Sequence, residues 1–193
     1  MIGKKNSLCL DIGGGSTELV YYAEGKIVFA ESFKVGAVRL TKKFFPTEVI
    51  NNTSITHCSE FIEEQFKENK EVRFNLPFEL AAGSSGTIQN AASIIYFGNK
   101  NKILRKLNGF SFSLQDLNEV IDFVLSCKTT KDRLRIGGIE GKRADILPAG
   151  LLILKKVFDL FNIRDMVISE YALREGIILE AIKHTPTQIQ FTF

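Results

Sequence analysis

The segment Leu8-Cys9-Leu10-Asp11-Ile12-Gly13-Gly14-Gly15-Ser16-Thr17-Glu18-Leu19-Val20 constrains this chain more than any other. An apolar strand ends on an acid, three glycines and two hydroxyls follow, and a second acid opens another strand. Glycines let the backbone turn tightly and come close to a ligand. Consecutive N–H groups over Gly13, Gly14, Gly15, Ser16 and Thr17, with the Ser16 and Thr17 hydroxyls, are candidates to wrap a phosphate. Asp11 and Glu18 bracket the turn and are candidate ligands for Mg²⁺, an ion that takes oxygen donors directly or through water. The spacing excludes two other phosphate loops. A dinucleotide fingerprint needs glycine where Glu18 stands, and a helix where Leu19-Val20-Tyr21-Tyr22 reads as a strand. A Walker loop needs Gly-Lys-Ser/Thr, but Gly141-Lys142 is followed by Arg143.

Around this turn the pattern predicts strands at 8–12, 18–23 and 27–33, a meander with Gly25 in its second turn. A short helix over 36–45 ends at Pro46. A longer helix spans 47–70, where mixed charges from Glu60 to Glu71 mark a solvated face. Phe78 to Ala82 reads as a buried strand that runs into Gly83-Ser84-Ser85-Gly86-Thr87, which opens a helix through Tyr96. Leu114, Leu117, Val120, Ile121, Val124 and Leu125 keep helical spacing, and Ser113 with Asp116 resembles a capping box. A helix over 151–161, a strand over 166–169 and a helix over 172–182 complete the order. This order matches a ribonuclease-H-like α/β domain with a mixed sheet and helices on both faces.

Gly83, Ser84, Ser85, Gly86 and Thr87 form the second candidate site. A glycine turn at a strand's carboxyl end, opening a helix, aims free N–H groups and a positive dipole at an anion. By itself this is also what an ordinary N-cap with close helix–sheet packing would look like; beside the first hairpin, ligand contact is the favoured reading. A serine-hydrolase elbow would need glycine where Thr87 stands. Arg133, Arg135, Lys142 and Arg143 surround Gly137-Gly138, either as a clamp for a polyanion or as a plain exposed loop. Lys100, Lys102, Arg105 and Lys106 read as a solvated loop. His57 and His184 lie in no metal or triad spacing, which argues against histidine-driven catalysis.

With 193 residues, 45% of them apolar, the chain can bury a core of one domain or a compact pair. Sixteen Phe and no Trp imply a core filled by Phe, Ile and Leu. A net charge of +3 is too small to argue for a specific nucleic-acid partner. Cys9, Cys58 and Cys127 form no close pair, which points to a reducing cytoplasm rather than a disulfide framework. No apolar run reaches membrane-spanning length, and Met1 to Ser7 has no signal-peptide core.

The opening turn looks like the phosphate hairpin of the sugar kinase/Hsp70/actin superfamily. Taken together, the blocks resemble the exopolyphosphatase/guanosine pentaphosphate phosphohydrolase (Ppx/GppA) family. They are Asp11 to Glu18, Gly36-Ala37-Val38-Arg39-Leu40, Gly83 to Thr87, Arg143-Ala144-Asp145-Ile146-Leu147-Pro148-Ala149-Gly150 and Ser169-Glu170-Tyr171-Ala172-Leu173-Arg174-Glu175-Gly176. The resemblance covers about residues 8 to 182. It implies that Asp11 and Glu18 help bind Mg²⁺, that Gly13 to Thr17 hold the phosphate under attack, and that Arg143 contacts a substrate phosphate. The implied reaction is hydrolysis of a terminal phosphoanhydride of polyphosphate or guanosine pentaphosphate, with water as nucleophile. Family members begin with another ribonuclease-H-like domain, and the glutamate that activates water lies before the motif found here. The expectation is therefore a single second domain over 1–193, with weak or no turnover alone and a docking face for the first domain that favours self-association. Two other readings stay open: a non-catalytic nucleotide or polyphosphate sensor, and the ATP-binding lobe of a superfamily kinase.

Overall fold

A computed structural model of the chain describes residues 5–47, 49–69, 76–103 and 106–170. Strands β1 (Ser7–Ile12), β2 (Thr17–Ala23) and β3 (Lys26–Phe33) form the expected antiparallel meander. Glu24 and Gly25, at φ 52° and 79°, make the second hairpin turn, the left-handed pair that matches strand twist. Helices α1 (Ala37–Phe44) and α2 (Asn52–Lys67) lead to β4 (Leu80–Ser84). Then come α3 (Gly86–Lys100), β5 (Ser111–Ser113), α4 (Leu114–Ser126), α5 (Thr130–Arg133), a 3₁₀ turn at Gly141–Arg143, α6 (Leu147–Leu160) and β6 (Asp165–Ile168). The sheet order is β3-β2-β1-β4-β6-β5, with β1, β4 and β6 parallel.

Several boundaries depart from the sequence reading for local reasons. Helix α2 starts at Asn52, because the Asn51 side chain accepts the Ser54 N–H at 2.9 Å and caps it there. Strand β4 starts two residues later than expected and runs through Gly83 and Ser84, because its pairing with β1 continues to Leu10↔Gly83 and Asp11↔Ser84. Helix α6 starts at Leu147 with Pro148 in its first turn, where a missing N–H costs nothing. The three-residue β5 pairs antiparallel with β6 and was too short to show a period. The expected capping box is present: Ser113 and Asp116 exchange side-chain and backbone bonds at the start of α4.

Both crossovers, β3 to β4 and β4 to β6, step the same way along the sheet, so right-handed connections put their helices on one face, where the sequence reading expected helices on both; this holds for the described residues. Helix α6 packs against α1, α2, α3 and α4 at the centre of that layer. It is buried nearly all round, with Lys155, Lys156 and Asp159 toward the surface. The sheet side of this core is Leu8, Leu10, Ile12, Leu19, Tyr21 and Phe33. Phenylalanine fills much of the rest, as with Phe33 against Phe66 at 4.3 Å between ring centres. The alternate residues Cys9, Asp11, Glu18, Val20 and Tyr22 lie half-buried on the opposite face. The helix expected over 172–182 lies outside the described residues. No helix among the described residues is long and apolar enough to cross a membrane.

Candidate functional site

Because β1 and β4 are parallel neighbours, their carboxyl ends and both glycine turns share one edge of the sheet. Register does the rest. Ser84, Asp11, Glu18 and Ser32 stand side by side across β4, β1, β2 and β3, through the pairs Asp11↔Ser84, Asp11↔Glu18 and Glu18↔Ser32. The Ser84 hydroxyl donates to Asp11 Oδ2 at 3.0 Å. Ser16 and Ser32 hydroxyls both donate to Glu18 Oε1, at 2.5 and 3.0 Å. Burial pushes the Asp11 carboxyl above its ordinary range; the Ser84 bond opposes the rise and the Glu18 charge adds to it. Neither acid has a basic partner among the described residues. Among those residues no group of three or more His, Cys, Asp or Glu gathers. A pair of carboxylates with flanking hydroxyls suits Mg²⁺, which is commonly held by one or two carboxylates and completed by substrate phosphates and water.

The first turn is set by what its carbonyls do. Gly13 N–H donates to Ser16 O, closing the hairpin at 2.9 Å. The Gly13 carbonyl accepts from Ala37 N–H and the Gly14 carbonyl from Arg39 N–H, each at 2.9 Å. The Gly15 carbonyl accepts from Arg39 Nε, also at 2.9 Å. The start of α1 is thus docked on the hairpin, and Gly36 permits it. A Cβ there would lie 2.5 Å from Gly15 C and Ser16 N, both backbone atoms. Gly14, Gly15 and Ser16 N–H donate to nothing among the described residues. The peptides of the described residues are all trans, so each N–H points opposite to the carbonyl before it. These N–H groups therefore face away from α1, which belongs to the helical layer, while Asp11 and Glu18 stand on the sheet face opposite that layer's core.

The second turn is tighter than a plain N-cap. Ser85 holds φ 148°, an unusual value for a residue with a side chain, and accepts Ile88 N–H at 3.3 Å. Such strain persists where the surroundings enforce it, often at functional positions. A Cβ at Gly86 would fall 1.9 Å from Arg143 Cζ, so the guanidinium occupies the helix start where a side chain would be. Glu140 holds it there, accepting Arg143 Nε at 2.6 Å. Lys142 pairs with the same Glu140; this bond, followed by that of Arg143, keeps the Glu140 carboxyl below its ordinary range.

Other expected site residues take structural places. The Thr17 hydroxyl is buried and donates to Val35 O at 2.6 Å, so it ties β2 to the chain entering α1 rather than facing a ligand. Thr87 is buried against Gly150, where α3 and α6 meet. Gly83 is interior: a Cβ would strike Met166 and Ile88. The expected four-residue basic cluster divides. Arg133 is 2% exposed and donates to Ala144 O, Cys127 O and Thr130 Oγ1 at 2.7 to 3.0 Å. Arg135 is exposed beside Asp132, and of the four it is Arg143 that reaches the turn. His57 is exposed on α2, while Arg105, Tyr171 to Gly176 and His184 lie outside the described residues. Sequence reading gave no individual role to Arg39 or Glu140. Glu140 sits three residues before Arg143, a spacing that brings side chains together in a helical turn; Arg39 has no comparable signal toward Gly15.

The model of the Ppx/GppA phosphatase family matches residues 1–185. The chain belongs to the Ppx/GppA phosphatase family. It is 32% identical over 181 residues to a Haemophilus influenzae protein that carries the provisional name exopolyphosphatase, covering 94% of this chain and 54% of that protein. It is 28% identical to a guanosine-5'-triphosphate,3'-diphosphate pyrophosphatase of Aeromonas salmonicida, over 91% of this chain and 34% of that one. The crystal structure of the Aquifex aeolicus Ppx/GppA phosphatase superposes with a TM-score of 0.78 at 25% identity, covering 91% of this chain and 57% of that one. An exopolyphosphatase structure from Cytophaga hutchinsonii gives 0.77 at 25%, over 94% and 58%. The chain thus spans between a third and three-fifths of these Ppx/GppA relatives, and it shares their ribonuclease-H-like, actin-like fold.

Proposed function

We propose that this chain supplies one wall of a Mg²⁺-dependent phosphoanhydride hydrolase that releases terminal phosphate from inorganic polyphosphate or guanosine pentaphosphate. The observation that carries the reading is the run of N–H groups at Gly14, Gly15 and Ser16, unpaired among the described residues, in the hairpin that Asp11 and Glu18 bracket. Backbone amides in such a row hold a phosphate. A phosphate there would meet two carboxylates, and a cation between them removes the repulsion. Asp11 and Glu18 would hold Mg²⁺, which when bound neutralises charge on the phosphoryl oxygens. Ser84 and Ser16 fix the two carboxylates by donating to them. Arg143, lying on Gly86, offers its remaining guanidinium N–H groups to a second phosphate, the planar fork suited to that anion. The work of these residues is positioning and charge stabilisation, as in phosphoryl transfer generally. Losing one such contact typically costs about 3–4 kcal/mol of transition-state stabilisation.

In this reading the group that activates water belongs to the part of the longer relatives that this chain does not match, and the chain alone turns over slowly or not at all. The same amides and carboxylates would also serve a second reading, a polyphosphate-binding module without catalysis. Phosphate release from long-chain polyphosphate with Mg²⁺, by the chain and by Glu18→Ala, tests the reading beside calorimetric binding of tripolyphosphate. The expected result is Mg²⁺-dependent binding that Glu18→Ala abolishes, with little or no release. Brisk release lost in Glu18→Ala would show a complete site in this chain. No Mg²⁺-dependent binding at millimolar tripolyphosphate would overturn the reading.

A further inference from the structure

We propose that Arg39 is a positioning residue: it and the first turn of α1 hold the hairpin's carbonyls so that the Gly14, Gly15 and Ser16 N–H groups stay aimed at the ligand. The inference rests on the phosphate reading of the hairpin. A three-glycine turn has many accessible conformations, and a row of amides binds an anion well only if its orientation is set beforehand. In this chain one residue supplies two of the restraints. Arg39 N–H takes the Gly14 carbonyl and Arg39 Nε takes the Gly15 carbonyl. Ala37 N–H takes the Gly13 carbonyl, and Gly36 allows the close approach. With these carbonyls pinned on α1, planar trans peptides leave the following N–H groups no choice of side. The Arg39 side chain is exposed and has no other bond among the described residues, so the fold itself does not depend on it. Its guanidinium lies on the carbonyl side of the hairpin, opposite the amides, and thus acts on a ligand through the backbone rather than by contact.

The test compares the full chain with Arg39→Ala and Arg39→Lys. Tripolyphosphate affinity is measured by calorimetry in Mg²⁺, and ¹⁵N relaxation of the Gly14, Gly15 and Ser16 amides is recorded without ligand. Arg39→Ala is expected to weaken binding at least tenfold and to lower the order of these amides, with the melting temperature unchanged. Arg39→Lys keeps the charge but not the planar Nε donor, so it should behave as the Ala variant does. Millimolar methylguanidinium should restore binding to Arg39→Ala, and sodium chloride at equal strength should not. Full binding by Arg39→Lys would overturn the proposal in favour of a simple charge effect, and unchanged amide order in Arg39→Ala would overturn it outright. If the unaltered chain binds no tripolyphosphate, the phosphate reading fails, and the amide order still decides whether Arg39 holds the turn.

Discussion

At Gly86 a hydrogen in place of a side chain decides where a cation rests. The Arg143 guanidinium occupies the space a Cβ would fill, yet it is the far end of a flexible side chain and can swing out. Gly86→Ala is therefore expected to keep the fold, with unfolding free energy changed by less than about 0.5 kcal/mol. It should weaken tripolyphosphate binding by roughly ten- to a hundredfold, the value of a charge-assisted contact of about 1.5–3 kcal/mol. Urea unfolding and calorimetry on the same variant check both halves; equal affinity would place Arg143 outside the binding site. Gly36 is the contrasting case. Its obstruction would be backbone of the hairpin, which cannot swing aside, so no substitution there separates fold from site.

Among the elements, α6 is the post to which the helical layer is fastened, and one carboxylate ties α2 to it. Glu63 on α2 accepts from Lys156 on α6 at 2.7 Å and also pairs with Lys67 one turn along its own helix. The Lys156 bond, then the Lys67 bond, holds the Glu63 carboxyl down at about 2. A depressed acid stabilises the fold above the unfolded value near 4.5, and this stabilisation is lost as pH falls through 4.5 toward 2. Glu63 is 34% exposed, so solvent keeps the effect small. Glu63→Gln should lower the urea midpoint at pH 6 and differ progressively less from the unaltered chain between pH 4.5 and pH 2. A difference independent of pH would assign the loss to packing instead of charge.

For the whole molecule, ligand binding and stability are one measurement. A ligand that binds only the folded chain adds about 2.7 kcal/mol at a hundred times its dissociation constant. For a domain of this size that raises the melting temperature by about 5–10 °C. The prediction is that tripolyphosphate produces such a shift in Mg²⁺ and that EDTA removes it, read by calorimetric scanning. An equal shift in EDTA would show that Asp11 and Glu18 are not bridged to the anion by a cation. The site lies at one edge of the sheet, while α6 and the core lie beneath its other face. That separation is why changes at Glu18 and Gly86, unlike those at the interior Gly83 and Thr87, are expected to alter binding with little effect on unfolding.

What the sequence by itself determined was whatever neighbouring residues decide among themselves. The Asp11-to-Glu18 hairpin, the Glu24-Gly25 turn and the Ser113–Asp116 box are local, and the chain states them within a few positions. Their register then put Asp11 beside Glu18 without further help. Tertiary structure decided which polar groups are buried in the fold and which are left at the turns. Thr17 and Ser16 are adjacent and chemically alike, yet strand alternation and Val35 bury one hydroxyl, while the other meets Glu18. Arg133 and Arg143 read as one basic cluster, yet one is interior and the other lies on Gly86, 57 positions back along the chain. Arg39 is 24 residues from Gly15, and nothing in the intervening sequence signals that contact. Spacing reveals what shares a strand or a helical turn; which distant backbone a side chain meets depends on how the elements pack, and there the amides of the first turn acquire their direction.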